Sequence, residues 1–542
     1  MKKILLLSIL SIFLFLSCNK NKINNLNYQN IEDKTFSEVS LDTTFSSIDN
    51  NTKQMLYYLA KASDYVDSIY FYTNFEDYSL VLDTIKNENI KKKYIFNAGP
   101  WDRFVENKPF VSGIGDKPKG ANFYPKDIKQ LEFYEMKDIC KESPYTFLRR
   151  NKNNQLYCVP YHKMYTRYID SITLFMREAA KHATDKNFSD YLVQRASDIE
   201  NDSYHKSDSM WVLLTKSTYD FIIGPIYVTD DKFLNIKYDY QSYLLVKNEE
   251  WTKKMEKYNK WLKFLQKALP VAEKYRAEEP GESSSIAVYD ALYYGGAGKY
   301  GGTMFSIVLP LDPQIQLDFG VRNIQFKNII EKKFNAITLN IAKNTFTPEQ
   351  QKHITADAFF VNAIMYEMAN SLGIRNTINN KGTVRKALKN YYVISDYIKN
   401  YLLVLFLAEK LSSVGEIQND LEDNYFTFVA NLIRLIRFGT ANEYGLSSLI
   451  IFNYLIDNQA IKFTKDGTSL NFEKMQTSIN ELIAKILILQ GDGDIDNFKI
   501  FVEDNNKMSV ELKNLIEKIN SSNVPTDIII NQNKNIFSLT NN

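Results

Sequence analysis

Apolar residues spaced three and four apart dominate the second half of the chain, whereas the first half alternates short apolar runs with turn residues. Residues 50–160 contain punctuation such as Asn97-Ala98-Gly99-Pro100 and Gly113-Ile114-Gly115-Asp116-Lys117-Pro118, which predicts strands and irregular loops. Across 161–200, Tyr165, Tyr168, Ile169, Ile172, Leu174, Phe175, Ala179 and Ala180 follow a helical period. Residues 221–228 suit a buried strand, and 250–276 a long amphipathic helix stopped by Glu279-Pro280-Gly281. Thr347-Pro348-Glu349-Gln350 signals a helix start, and helices are predicted over 355–372, 383–412, 423–437, 446–456, 473–489 and 509–520. There is no internal repeat. An α+β chain is expected, mixed in its first half and helical in its second.

The first residues form a different kind of segment. Lys2 and Lys3 precede an apolar stretch over 4–16, shorter than the roughly 20 residues a spanning helix needs, and Ser17-Cys18 follows. This is the pattern of a bacterial lipoprotein signal, with Cys18 as the lipidated residue after cleavage. Phe15 departs from the usual Leu three before the cysteine, and an ordinary signal peptide with an incidental Cys is the alternative. The expected organisation is a signal peptide over 1–18, a flexible tether over 19–45, a mixed α/β lobe over 46–335, a mainly helical lobe over 336–525 and a tail over 526–542. The body is expected to face the periplasm or exterior of a bacterial cell envelope, held to a membrane by lipid on Cys18.

Charge narrows the partners. The 66 Lys and Arg against 64 Asp and Glu leave a net charge of +2 in 542 residues, so no global field favours nucleic acid. The length suits two to four domains or one large bilobal unit. Only 4 His are present, at 162, 182, 205 and 353, and no two can share a helical face as an H-E-x-x-H zinc site requires. Cys18, Cys140 and Cys158 form no C-x-x-C pair. Export would permit a disulfide between Cys140 and Cys158, which flank a basic turn at 149–154; two buried free thiols are the alternative.

Against that scarcity stands the segment Met365-Tyr366-Glu367-Met368-Ala369-Asn370-Ser371-Leu372-Gly373. It resembles the helix that carries His-Glu-x-x-His in the zinc hydrolases of the dipeptidyl peptidase III family and their bacterial relatives. Asn376 to Leu388 continues the likeness into a helix where that family places Glu-Glu-x-x-Ala-Asp/Glu. Further landmarks occur in the family's order: Trp101-Asp102-Arg103-Phe104, Gly120-Ala121-Asn122-Phe123-Tyr124-Pro125, Ile223-Gly224-Pro225, Leu245-Val246-Lys247, Arg437-Phe438-Gly439 and Leu489-Gln490-Gly491-Asp492-Gly493-Asp494. The resemblance spans roughly 95–530. It implies a bilobal fold, with a mixed lower lobe around a β-barrel-like core, a mainly helical upper lobe and a cleft between them.

The resemblance also locates substitutions. Its three zinc-ligand positions are Tyr366, Asn370 and Tyr397, while the general-base position is retained as Glu367. Tyr227 and Thr229 stand where the family has Glu and Tyr for the substrate amine and the transition state. Val308 and Leu311 replace two Asn that hold the peptide backbone, and Tyr444 replaces a His that stabilises the intermediate. A neutral phenol, with a pKa near 10, is a poor zinc ligand, and an amide carbonyl is a hard, weak donor. Without zinc, no Lewis acid lowers the pKa of a water for Glu367 to deprotonate. Glu367 has a plainer reading as a solvated or paired carboxylate. The expectation is therefore no metal and no cofactor, and a catalytically inactive lipoprotein binding a peptide or protein in its cleft. The alternative is an active zinc-dependent dipeptidyl peptidase or hydrolase with an atypical metal site built from Glu367, Asp396 and the Asn370 carbonyl.

Other motifs carry less. Asp492 to Asn497 with Glu503 imitates calcium-loop spacing but has Asn497 where the turn Gly belongs, favouring a structural turn. Gly298-Lys299 is followed by Tyr300, not Ser or Thr, so it is no phosphate loop. His162 is more simply a hydrogen-bonding residue than a ligand. There is no Gly-x-Ser-x-Gly elbow.

Overall fold

A computed structural model describes residues 36–41, 48–281, 285–300, 302–418, 420–440, 443–532 and 534–539. Cys18, the expected signal peptide and most of the expected tether lie outside the described residues. Strands and loops were expected from residue 50, yet the chain opens there with a long helix, α1 (Asn50–Asn74). Asp49 caps it by accepting from the Thr52 N–H at 3.0 Å. Its buried stripe of Met55, Leu56, Leu59, Val66, Ile69, Tyr70 and Thr73 is helical in period. The aromatic and β-branched residues in it have strand propensity, and tertiary burial overrides that weak preference.

α1 packs on α2 (Thr166–His182), which is followed by α3 (Lys186–Asn201). The single periodic run over 161–200 is thus divided, because Asp185 accepts from the Asn187 and Phe188 N–H groups and starts a new helix. Leu174 lies 55% exposed, off the apolar face to which its spacing assigned it.

Behind α1 is a five-stranded, curled half-barrel sheet of β1 (Tyr219–Tyr227), β2 (Asp239–Lys247), β3 (Ser285–Gly296), β4 (Ser306–Leu309) and β5 (Arg322–Phe326). Its order is β1-β2-β3-β5-β4; only the β3–β5 pair is parallel. β1 is the strand expected over 221–228, buried from Asp220 to Ile226. The long helix expected over 250–276 is broken into Glu249–Asn259 and Leu262–Lys267, with a 3-10 turn at Glu273–Tyr275. Pro270 explains the second stop, since it lacks an N–H and its ring clashes with the preceding turn.

The helical half follows its sequence pattern closely. It contains α4 (Ala356–Ala369), α5 (Tyr392–Ser413), α6 (Leu421–Arg437), α7 (Glu443–Asp457) and α8 (Phe472–Gly491). The start signal at Thr347 forms only a turn. Helix α4 begins where the Thr355 hydroxyl accepts from the Ala358 N–H at 3.2 Å. The helix expected over 383–412 is interrupted by a 3-10 turn at Lys389–Tyr391. α5 is buried without a break from Ile398 to Ala408 and packs on α4, α7 and α8, the position expected of a helix apolar on all sides.

Ordered structure reaches into both stretches expected to be tether and tail. Phe36–Ser40 and Asp527–Asn531 pair in parallel, with Val39 opposite Ile530. Ile528 and Ile530 are buried, so this short pair has apolar burial to hold it. The basic turn at 149–154 is the tip of a hairpin, Thr146–Arg150 with Leu156–Pro160. Cys158 lies on that hairpin and is disulfide-bonded to Cys140, with Cα atoms 6.2 Å apart. Of the two readings of these cysteines, the bridge is the one observed. Among the described residues, no helix is long and apolar enough to cross a membrane.

Candidate functional site

Where α4 to α7 meet the sheet, they enclose a largely apolar cavity of about 450 Å³. Asn362, Ala363, Tyr366 and Glu367 recur on one face of α4, Tyr401 and Val404 on one face of α5, and Asn431, Arg434 and Leu435 on one face of α6. β5 supplies Gln325, and Tyr444 opens α7 at the mouth, 46% exposed. Period-two alternation puts Asn323 on the same face of β5 as Gln325.

Glu367 is held by this sheet. Its carboxylate accepts from Asn323 Nδ2 at 2.7 Å, and Gln325 Nε2 donates to Asn323 Oδ1 at 2.6 Å, fixing the amide's orientation. Burial raises the Glu367 pKa, and the Asn323 and Gln325 amides act against that rise. The carboxylate is thus tied to the sheet by an amide hydrogen bond.

The three positions assigned to zinc ligands by resemblance are gathered at one end of α4 and the facing turn of α5. Tyr366 stacks obliquely on Tyr401 at 4.9 Å, and Tyr397 lies on Tyr444 at 4.3 Å with ring planes 22° apart. Burial, with the neighbouring phenols adding to it, pushes the Tyr366 hydroxyl far above the ordinary phenol range. Burial and the Tyr444 hydroxyl do the same to Tyr397. Asn370 terminates α4, and its Oδ1 already accepts from Asn400 Nδ2 at 2.7 Å. Asp396, which precedes Tyr397, pairs with Lys399 at 2.9 Å. Two protonated phenols and an occupied amide oxygen do not fit zinc, which takes thiolate, imidazole or carboxylate ligands.

The substrate and transition-state positions are dispersed. Tyr444 belongs to the cavity. Tyr227, at the end of β1, bridges to the edge strand β4: its hydroxyl donates to the Val308 carbonyl and accepts from the Val308 N–H, both at 3.0 Å. The side chain joins the two edges of the half-barrel and occupies both backbone groups of Val308. Thr229 donates its backbone N–H to Asp239 Oδ2 at 3.0 Å. Leu311 lies away from Glu367, on a second cavity of about 440 Å³ beside Tyr145, Tyr238 and the Arg195–Asp208 ion pair. Removing the bridge with Tyr227→Phe is expected to cost about 1 kcal/mol. Amide hydrogen exchange at Val308 should accelerate severalfold, and an unchanged rate would show that the bridge does not protect the strand.

The remaining motifs resolve as structural. His162 Nδ1 lies 2.8 Å from Asp202 Oδ2, which also accepts the His162 backbone N–H. Lys299 pairs with Asp67 at 2.7 Å, so it faces no phosphate loop. Asp494 caps the helix Ile495–Asn505, and Asp492 accepts from the Tyr275 hydroxyl. His353, Asp420 and Asp423 offer ligand atoms within 4.8 Å of one another, a group that their spacing in sequence conceals. Both ring nitrogens are engaged there, Nδ1 with Asp423 and Nε2 with Glu422. Sequence reasoning also passed over Arg434, which sits between Ile433 and Leu435 in the apolar last turns of α6.

No protein-family model matches the chain. It is 25% identical, over 91% of its length, to Nudix hydrolase 3 of Arabidopsis thaliana, of which it covers 72%. Among solved structures it is similar to dipeptidyl peptidase III from Caldithrix abyssi, with a TM-score of 0.88 and 26% identity over 93% of this chain and 98% of that one. Dipeptidyl peptidase III from Corallococcus sp. strain EGB superposes with a TM-score of 0.76 and 25% identity over 94% and 97% of the two chains. A curled sheet under one lobe, a helical second lobe and a cavity between them, matched over nearly full length, give this chain the fold of the dipeptidyl peptidase III family.

Proposed function

We propose that this chain is a lipid-anchored protein of the bacterial cell envelope that uses a dipeptidyl peptidase III-type cleft to bind a peptide or protein without cleaving it. The carrying observation is the donor chemistry of Tyr366, Asn370 and Tyr397: neutral phenols held protonated by burial, and an amide oxygen already bonded to Asn400. The improvised set of Glu367, Asp396 and the Asn370 carbonyl gains no support, since each member has a protein partner. The lysine-flanked apolar segment before Cys18 supports the anchor, and the Cys140–Cys158 bridge suits an oxidising compartment.

The test is metal analysis of the purified protein after zinc exposure, alongside hydrolysis of a panel of chromogenic dipeptides. Substoichiometric zinc and no turnover are expected. Stoichiometric zinc at micromolar affinity or tighter, or turnover abolished by Glu367→Ala, would overturn the reading. Labelling with a radioactive fatty acid should mark the wild type and leave Cys18→Ser unlabelled.

A further inference from the structure

The cavity holds an arginine without a counter-ion. Arg434 donates its Nε–H to Asn431 Oδ1 at 3.0 Å, and its guanidinium carbon lies 5.8 Å from the Phe438 ring centre. Among the described residues, no carboxylate lies within ion-pairing distance of it, and its two terminal nitrogens have no protein acceptor. Arg434 is half-buried; the more deeply buried Arg322 and Arg195 pair with Asp220 and Asp208, and Arg103 pairs with Asp230. The nearby acids are committed, Asp527 to Lys333 at 2.8 Å and Glu367 to Asn323. Burial lowers the Arg434 pKa, with Tyr401 and Asp527 opposing, so the charge is held at a cost in solvation. Around it stand Phe359, Phe428, Phe438 and Leu435, and the mouth at Phe438 and Tyr444 is open to solvent.

A planar fork of donors in an apolar, partly enclosed pocket matches a carboxylate attached to a hydrophobic body. We propose that the cavity recognises a hydrophobic carboxylate, its two oxygens on the terminal nitrogens of Arg434 and its apolar body among Phe359, Phe428 and Phe438. This rests on the cleft being a binding site and names the chemistry it selects. About 450 Å³ is room for a dipeptide-sized group or a medium-chain acid.

Calorimetric titration of the full-length protein with acetyl-Phe-Leu, its C-terminal amide, decanoate and decanamide tests the proposal and separates its two sources. At least one free acid should bind, at least tenfold more tightly than its amide. If only acetyl-Phe-Leu binds, the source is a peptide C-terminus; if decanoate binds as well or alone, it is an aliphatic acid. Arg434→Met should remove the preference for acid over amide while leaving the melting temperature unchanged or higher, because a partly desolvated charge without a counter-ion has been removed. Equal binding of acid and amide by the wild type would overturn the carboxylate proposal and leave a binding cleft. Binding of none of the four would overturn both. Retained preference in Arg434→Met, or a large fall in its melting temperature, would show that Arg434 serves packing and not recognition.

Discussion

Replacing Asp220 by Ala is expected to cost about 3–5 kcal/mol of stability. Asp220 and Arg322 are each 1% exposed at the side chain, and Asp220 Oδ2 accepts from Arg322 Nη2 at 2.7 Å. The guanidinium also donates to the Trp211 carbonyl and the Tyr289 hydroxyl, while Trp211 Nε1 donates to Asp220 Oδ1 at 2.9 Å. One carboxylate thus joins β1, the helix His205–Leu213 and β5. Without it, a guanidinium is left inside with no anion, and desolvation of that charge dominates the loss. The damage should reach the cavity, because Arg322 precedes Asn323 and Gln325, which hold Glu367. Urea unfolding measures the effect, and a loss below about 1 kcal/mol would show that water reaches Arg322. The double substitution Asp220→Leu and Arg322→Met should be far less destabilising than Asp220→Ala, since it leaves no orphan charge.

The second large effect concerns metal. Introducing Tyr366→His, Asn370→His and Tyr397→Glu together should bring zinc from no detectable binding at millimolar to micromolar affinity or tighter, a gain of roughly 4 kcal/mol. Positions 366 and 370 are one helical turn apart at the end of α4, where two imidazoles can share a metal. Position 397, on α5, stacks on Tyr444 of α7, and Tyr366 packs on Tyr401 one turn further along α5. Competition with a chromophoric chelator reads the affinity. Unchanged zinc binding in a folded triple variant would refute the matching of these three positions. Dipeptide hydrolysis should stay absent, because Tyr227, Thr229, Val308 and Leu311 are untouched and the Tyr227 bridge still occupies the edge of β4.

Legibility differed sharply between the two lobes. α6 and α8 were readable because each opens at a capping side chain, Asp420 and Asn471, and carries an apolar stripe of period 3.6, while α5 was marked by apolar residues on all its sides. α1 was not readable as a helix, because six of its residues are Tyr or Phe and their strand propensity matched the turn-rich context. β5 is only five residues long and lies between helical segments, so nothing local marks it as the strand that orients Glu367. Its identity comes from pairing with β3 in parallel, a contact between segments far apart in sequence.

The sequence by itself determined the inventory of donors: four histidines too widely spaced for one helix, phenols and an amide where the resembling family has ligands, and an order of landmarks that named the fold. Such properties are composition and order, and they survive unfolding. Only the tertiary structure decided what each donor does, because hydrogen bonding and desolvation depend on neighbours tens of residues away in sequence. Burial keeps Tyr366 protonated, Asn400 takes the Asn370 oxygen, and Tyr227 closes on Val308. Arg434, one of 66 basic residues in the chain, becomes distinctive only where every nearby carboxylate is already paired elsewhere.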